Sequence, residues 1–294
     1  MKIIIMKITA ILLRRRKMKK IGFIDYYLDE WHANNYPEFF RQAAGNEMKV
    51  CYAYGKIDAP NGITNKEWSD KYDVELISNI EELIEKSDCI VVLSPDNPEM
   101  HLELTDLALK SQKPVYIDKT FALTKSEAQK IFENGDTHGT PCYSSSALYF
   151  SDEIKTVKKE GITRINSVGS GKFEIYAIHQ IEQIVYLMGY DAKRVMYLGE
   201  NEHPAMIIEF SDNRYAQINH FMDQQFSMSI GYSDGNTSSM RVNSDFFANC
   251  IKGMIEFFKT QNIPVPHEQT LAVISIIEAG NKAKKTPFKW VDIK

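Results

Sequence analysis

Lys119 stands at the end of an apolar strand, in the stretch SDCIVVLSPDNPEMHLELTDLALKSQKPVYIDKTFA that runs from Ser87 to Ala122. In a parallel α/β sheet ligands bind beyond the carboxyl ends of the strands, and a cation there can hold an oxygen on which charge develops. A second chemical group lies upstream in DYYLDEWHANNY. Tyr26, Tyr27, Trp31 and His32 beside Asp25, Asp29 and Glu30 form a mixture suited to stacking on a sugar face while binding its hydroxyls. Three roles fit this segment: a remodelled cofactor loop, a sugar-binding surface, or a packed loop with a solvated acidic rim. A third candidate is His179 in IYAIHQIEQIVYLMG, which titrates in the useful range, with Glu182 three residues on along the same helical face and so placed to orient the ring. Each has a plain alternative: a solvated lysine, a satisfied core histidine, an exposed helix glutamate.

The elements that must position these residues can be read from periodicity. Cys89 to Leu93 is short, β-branched and stopped by Ser94-Pro95, the pattern of a strand buried on both faces. Leu102, Leu104, Leu107, Ala108 and Leu109 predict a helix ending near Ser111-Gln112, and Pro114 to Ile117 predicts the strand that delivers Asp118, Lys119 and Thr120. Earlier strands at Ile21 to Ile24, Val50 to Tyr54 and Val74 to Ile77 alternate with helices around Pro37 to Ala44 and Ile80 to Glu85. Ser126 to Asn134 adds another helix. The alternation predicts a doubly wound parallel sheet with right-handed crossovers. Beyond about Cys142 the pattern changes to strands at Ala205 to Phe210, Tyr215 to Phe221, Phe226 to Tyr232 and Ser239 to Val242, joined by turn signals, which predicts an antiparallel sheet. Two helices close the chain, Asp245 to Thr260 and Gln269 to Lys284. The expected division is an extension over 1–17, a first domain over 18–141 and a second α+β domain over 142–294.

Composition narrows the function classes. With 294 residues, 44% hydrophobic and 25% charged, the chain reads as an ordinary two-domain globular protein. The 35 Lys and Arg against 39 Asp and Glu leave a net charge of −4, so no positive field draws it to nucleic acid or anionic lipid. Cys51, Cys89, Cys142 and Cys250 lack metal-site spacing and read as reduced thiols, which places the protein in the cytoplasm. No specific metal site is expected. The first residues, MKIIIMKITAILLRRRK, run apolar then basic, opposite to a secretory signal, and are too short to span a bilayer. They read as an extension before a start at Met18, with a basic membrane-surface segment as the alternative.

From about Lys19 to Lys294 the sequence resembles the glucose-fructose oxidoreductase, inositol dehydrogenase and MocA family. Ser94-Pro95-Asp96-Asn97 with His101 is similar to its strand-four loop, Asp118-Lys119-Thr120 to its Glu-Lys-Pro signature, His179 to its active-site histidine, and FFANCIKGMIEFFKTQNIPVPHEQTLAVISIIEAGNKA to its terminal helix pair. The resemblance implies a Rossmann-like domain paired with an α+β domain built on an open, mostly antiparallel sheet. It also implies hydride transfer between NAD or NADP and a secondary alcohol of a sugar, cyclitol or related polyhydroxy compound. Lys119 and His179 would handle the hydroxyl proton, Asp118 and Glu182 would support them, and Ile24, Ser94, Pro95, Asn97 and His101 would face the cofactor. A homo-oligomer formed through the second sheet is the expected assembly.

One segment departs from that pattern. The family's first strand runs into a glycine-rich loop, whereas here IGFIDYYLDEWHANNYP offers only Gly22, inside the strand. Bulky side chains block the approach of backbone to a pyrophosphate. Carboxylates at Asp25, Asp29 and Glu30 repel it by roughly 1 to 4 kcal/mol per close unit-charge pair. At the end of the second strand, Tyr54, Gly55 and Lys56 replace the expected ribose-binding acid. Besides the dehydrogenase, two classes stay open: a sugar-binding or regulatory protein that kept the fold without the dinucleotide, and a non-redox enzyme using the same lysine and histidine.

Overall fold

Parallel pairing of the first strand on both its edges organises the N-terminal half. A computed structural model describes residues 18–199 and 202–294, so the expectation for 1–17 lies outside the described residues. The chain runs through β1 (Lys19–Asp25), α1 (Trp31–Ala44), β2 (Met48–Gly55), α2 (Asn65–Tyr72), β3 (Glu75–Leu76), α3 (Ile80–Lys86), β4 (Cys89–Val92), α4 (His101–Leu104), β5 (Val115–Ile117), α5 (Lys125–His138) and β6 (Cys142–Ser144). The six strands form a parallel sheet in the order β3-β2-β1-β4-β5-β6. That is the doubly wound order in which the chain reverses direction beside β1, and the crevice for a ligand opens above it. β6, the sixth strand, closes this sheet beside β5.

The second half carries α6 (Asp152–Lys155), β7 (Ile162–Gly169), α7 (Phe173–Met188), β8 (Ala192–Tyr197), β9 (Ala205–Phe210), β10 (Tyr215–His220), β11 (Ser227–Tyr232), β12 (Thr237–Arg241), α8 (Phe246–Thr260), α9 (His267–Ala283) and β13 (Trp290–Asp292). Its sheet, in the order β12-β11-β7-β10-β9-β8-β13, is mostly antiparallel, with β10 and β7 parallel. α7 covers one face with Ile181, Ile184 and Val185, packed on Ile165, Ile208 and Ile218. The other face is open, with a hollow of ≈ 730 Å³ among Arg164, Asn166, Tyr215, Gln217 and Trp290, and is mixed rather than apolar.

Two helices at the end of the chain return to the first sheet. α8 places Cys250, Met254, Phe257 and Phe258 in one core with Phe23, Tyr36 and Phe40, while Ile274 of α9 joins Ile24, Val92 and Ile117 on the opposite face. The crevice between the halves is thereby walled by α1, α7 and α8.

Local structure differs from the sequence reading in two places that touch the site. The helix expected over Leu102 to Leu109 is broken into α4 between short 3-10 turns at Pro98–Met100 and Ala108–Lys110. The Thr105 hydroxyl donates to the His101 carbonyl at 2.6 Å, a local bond that competes with a regular helix. Trp31 and His32, expected in a loop, begin α1 instead, because the Glu30 carboxylate caps that helix. Among the described residues no helix is long and apolar enough to cross a membrane.

Candidate functional site: a lysine and two histidines in the interdomain cleft

A cavity of ≈ 340 Å³ lies between the halves, at the lower end of the range for small-molecule sites. β5 brings Asp118 and Lys119 to its floor, the first turn of α1 brings Trp31 and His32, and α7 brings Tyr176 and His179. Lys119 is only 7% exposed, and among the described residues its ammonium has no hydrogen-bond or ion-pair partner. The peptide between Lys119 and Thr120 is cis.

The imidazole of His179 is held from behind. Its Nδ1 lies 2.9 Å from the Ser146 hydroxyl, which leaves the other ring nitrogen for a ligand. Burial, and then the nearby Lys119 charge, push His179 down to about 3, so the ring is neutral at physiological pH. Glu182 does not orient this ring as its helical spacing suggested. Its carboxyl turns to the backbone N–H of Ser146, 2.6 Å away, and burial pushes it up to about 8. Ser146 is therefore the residue that sequence reasoning missed: it binds the histidine by its hydroxyl and the glutamate by its amide. Nothing in SSSALYF singles it out from two adjacent serines.

On the opposite wall the His32 Nδ1 contacts Asp118 Oδ2, and the ring stacks on Tyr36 with centroids 5.0 Å apart. Burial alone lowers the His32 pKa, but the charge and hydrogen bond of Asp118 outweigh it and the net direction is up. Glu30 and Asp25 are buried beside this pair. Burial pushes Glu30 to about 7 and holds Asp25 well above the usual carboxylate range. At the mouth Trp31, 50% exposed, packs against Phe247 at 4.8 Å between centroids, giving an aromatic rim over a polar floor.

The residues assigned to the cofactor by resemblance are placed differently. Pro95 lines the cavity, whereas Ile24, Ser94, Asn97 and His101 do not. His101 is fully buried, with one ring nitrogen 3.0 Å from the Phe121 carbonyl oxygen and the other against the Leu93 carbonyl, a tie between two loops. Ser94 closes its own turn by donating to the Asn97 carbonyl at 3.0 Å, and Asn97 binds Glu99. Asp25 and Tyr27 also lie outside the cavity lining.

The first loop does not fit a dinucleotide bound in the family's manner. At the N-terminus of α1, where a pyrophosphate would sit, the Glu30 carboxylate already accepts the N–H groups of His32, at 2.6 Å, and Ala33. Leu28 is fully buried in the core, and its N–H donates to Asn65 Oδ1 at 3.0 Å. Backbone bonds from Lys56 N–H to Asp25 O (3.1 Å) and from Ile57 N–H to Tyr26 O (2.9 Å) close the crevice between β1 and β2. The Asn65 amide fills what is left by donating to the Gly55 and Ile57 carbonyls.

A Rossmann-like sheet joined to an open mixed sheet, with Lys119 and His179 lining the cleft between them, is the arrangement to compare with known proteins. Residues 41–145 match the family described as "Oxidoreductase family, NAD-binding Rossmann fold", the glucose-fructose oxidoreductase, inositol dehydrogenase and MocA group, which the chain resembles in sequence order as well. The match begins after the first loop. A sequence search of the curated proteins finds no match. In fold the chain is similar to a probable dehydrogenase from Thermotoga maritima (14% identity, TM-score 0.76, covering 93% of this chain and 98% of that one). It is similar also to scyllo-inositol dehydrogenase from Lactobacillus casei, solved with NAD(H) and scyllo-inositol (15% identity, TM-score 0.75, 94% and 99% covered). A third is myo-inositol 2-dehydrogenase from Lactobacillus plantarum (15% identity, TM-score 0.75, 95% and 100% covered).

Proposed function

We propose that this protein takes a polyhydroxy compound of inositol or monosaccharide size into the interdomain cleft and that Lys119 and His179 meet the hydroxyl on which it acts. The observation that carries the reading is Lys119, an almost fully buried ammonium that opens into a cavity with no protein partner. A buried cation without a partner is costly, and a ligand oxygen supplies the missing bond. The ammonium also suits an oxygen on which charge would develop if the hydride acceptor of the second reading below were bound. His179, neutral and oriented by Ser146, binds the same or the adjacent hydroxyl. Trp31 and Phe247 offer the apolar surface on which the ring face of such a compound stacks.

The second reading is hydride removal from the bound alcohol by NAD or NADP. The match over residues 41–145 favours it, and the first loop opposes it. Four unpaired cysteines support a cytoplasmic setting. The open face of the second sheet, with Tyr215 and Trp290 on it, is proposed as the surface through which copies associate.

Co-crystallisation with myo-inositol, scyllo-inositol and common hexoses tests the reading. A ligand hydroxyl within hydrogen-bonding reach of Lys119 Nζ and His179 is expected. A ligand seated elsewhere, with the cleft untouched, contradicts it.

A further inference from the structure

We propose that the Glu30 carboxylate permanently holds the helix N-terminus at which the pyrophosphate of a dinucleotide would bind, so that the protein takes its small-molecule ligand without NAD or NADP. The inference goes beyond the reading above, since polyol binding is measured without nucleotide and the two fail separately.

Three independent features carry it. The first is hydrogen bonding: the free N–H groups of a helix N-terminus are what make it an anion site, and two of those at α1 are satisfied by Glu30. An incoming phosphate must displace a side chain tethered next to its own helix, a competitor at very high effective concentration. The second is charge. Asp25, Glu30 and Asp118 are buried within one cluster, with His32 and Lys119 as the cations beside them. Burial pushes the Glu30 carboxyl up to about 7, so the surroundings solvate a further charge poorly. Lys56, at the end of β2, is paired with Glu103 and so is not free to meet a dianion there. The third is volume. Leu28 and Asn65 fill the space over β1 that glycines would leave empty, and the bonds from Lys56 and Ile57 to Asp25 and Tyr26 zip the two strands together above it.

Fluorescence titration of the full chain with NADH and with NADPH tests the proposal, with inorganic pyrophosphate followed by calorimetry as the anion probe. The wild type is expected to show no saturable binding of any of the three up to about millimolar concentration. Glu30→Ser keeps a good helix cap while removing the carboxylate, and is expected to bind pyrophosphate at least about tenfold more tightly than the wild type at low salt. Circular dichroism establishes that the variant is folded. Wild-type binding of NADH or NADPH with a dissociation constant below about 100 μM overturns the proposal, and needs no variant. Folded Glu30→Ser that binds pyrophosphate no better than the wild type overturns the role given to Glu30.

Discussion

His32 and Asp118 form a buried contact, Nδ1 to Oδ2, that ties the first turn of α1 to the end of β5 directly beside Lys119. The two residues are 86 positions apart, and the pair fixes one wall of the cleft to its floor. Asp118 is 1% exposed and His32 8%, so neutralising Asp118 takes from the buried imidazolium the charge and hydrogen bond that hold it protonated. Asp118→Asn is expected to destabilise the fold by about 3–5 kcal/mol, read as a fall in the midpoint of denaturant unfolding at neutral pH. A loss below about 1 kcal/mol would show that the pair behaves as a solvated one.

The same pair sets a pH signature. His32 is raised above its ordinary 6.5, so its contribution to stability is present below pH 6.5 and is lost as pH rises through the folded value. Asp118 is lowered below 3.8 despite burial, because His32 holds its charged form; its contribution is present above 3.8 and is lost as pH falls through the folded value. Nuclear magnetic resonance titration of the His32 imidazole checks the first sign. A resonance that titrates below 6.5 contradicts it.

Glu182 predicts a trend of its own. Its carboxyl is pushed from 4.5 to about 8, so between those values the folded chain keeps a proton that the unfolded chain releases. The contribution of Glu182 to stability therefore falls as pH rises across that window, on the order of 1 kcal/mol per pH unit. Glu182→Gln retains an acceptor for the Ser146 N–H and removes the titration. Thermal unfolding at pH 5.5 and 7.5 is expected to show a smaller difference for the variant than for the wild type, and an equal difference would place the pH dependence elsewhere.

Gly22 tests whether the lone glycine of the first strand serves packing rather than a phosphate. A β-carbon there would lie 2.3 Å from Ser87 Oγ and 2.6 Å from Leu83 Cδ2, where α3 crosses β1. Gly22→Ala is expected to cost about 1–3 kcal/mol of stability while leaving polyol affinity unchanged, measured by unfolding and by calorimetry. A stable variant with altered affinity would reverse that assignment.

Much of this architecture was legible in the chain. Strand-helix alternation over Ile21 to Ile117 gave a parallel sheet, and Lys119 followed from its place at a strand end. The first turn of α1 was hidden because glutamate is an uncommon N-cap, so that EWHANN reads as loop although Glu30 bonds two of its N–H groups. β7 was hidden because ITRINSVG interrupts its alternation with polar residues: Ile162 and Ile165 are buried three apart. The link between Glu182 and His179 was misread because spacing along a helix shows which residues share a face, not that Ser146 from the connection after β6 stands between them.

The central claim, a polyol site built on Lys119 that needs no dinucleotide, is tested most directly by calorimetric titration of the wild type and Lys119→Ala with inositols and hexoses in nucleotide-free buffer. The account predicts saturable binding of at least one of these compounds to the wild type, weakened about tenfold or more in Lys119→Ala with the melting temperature preserved. Binding that appears only when NAD or NADP is added, or that survives the loss of Lys119 undiminished, would contradict it.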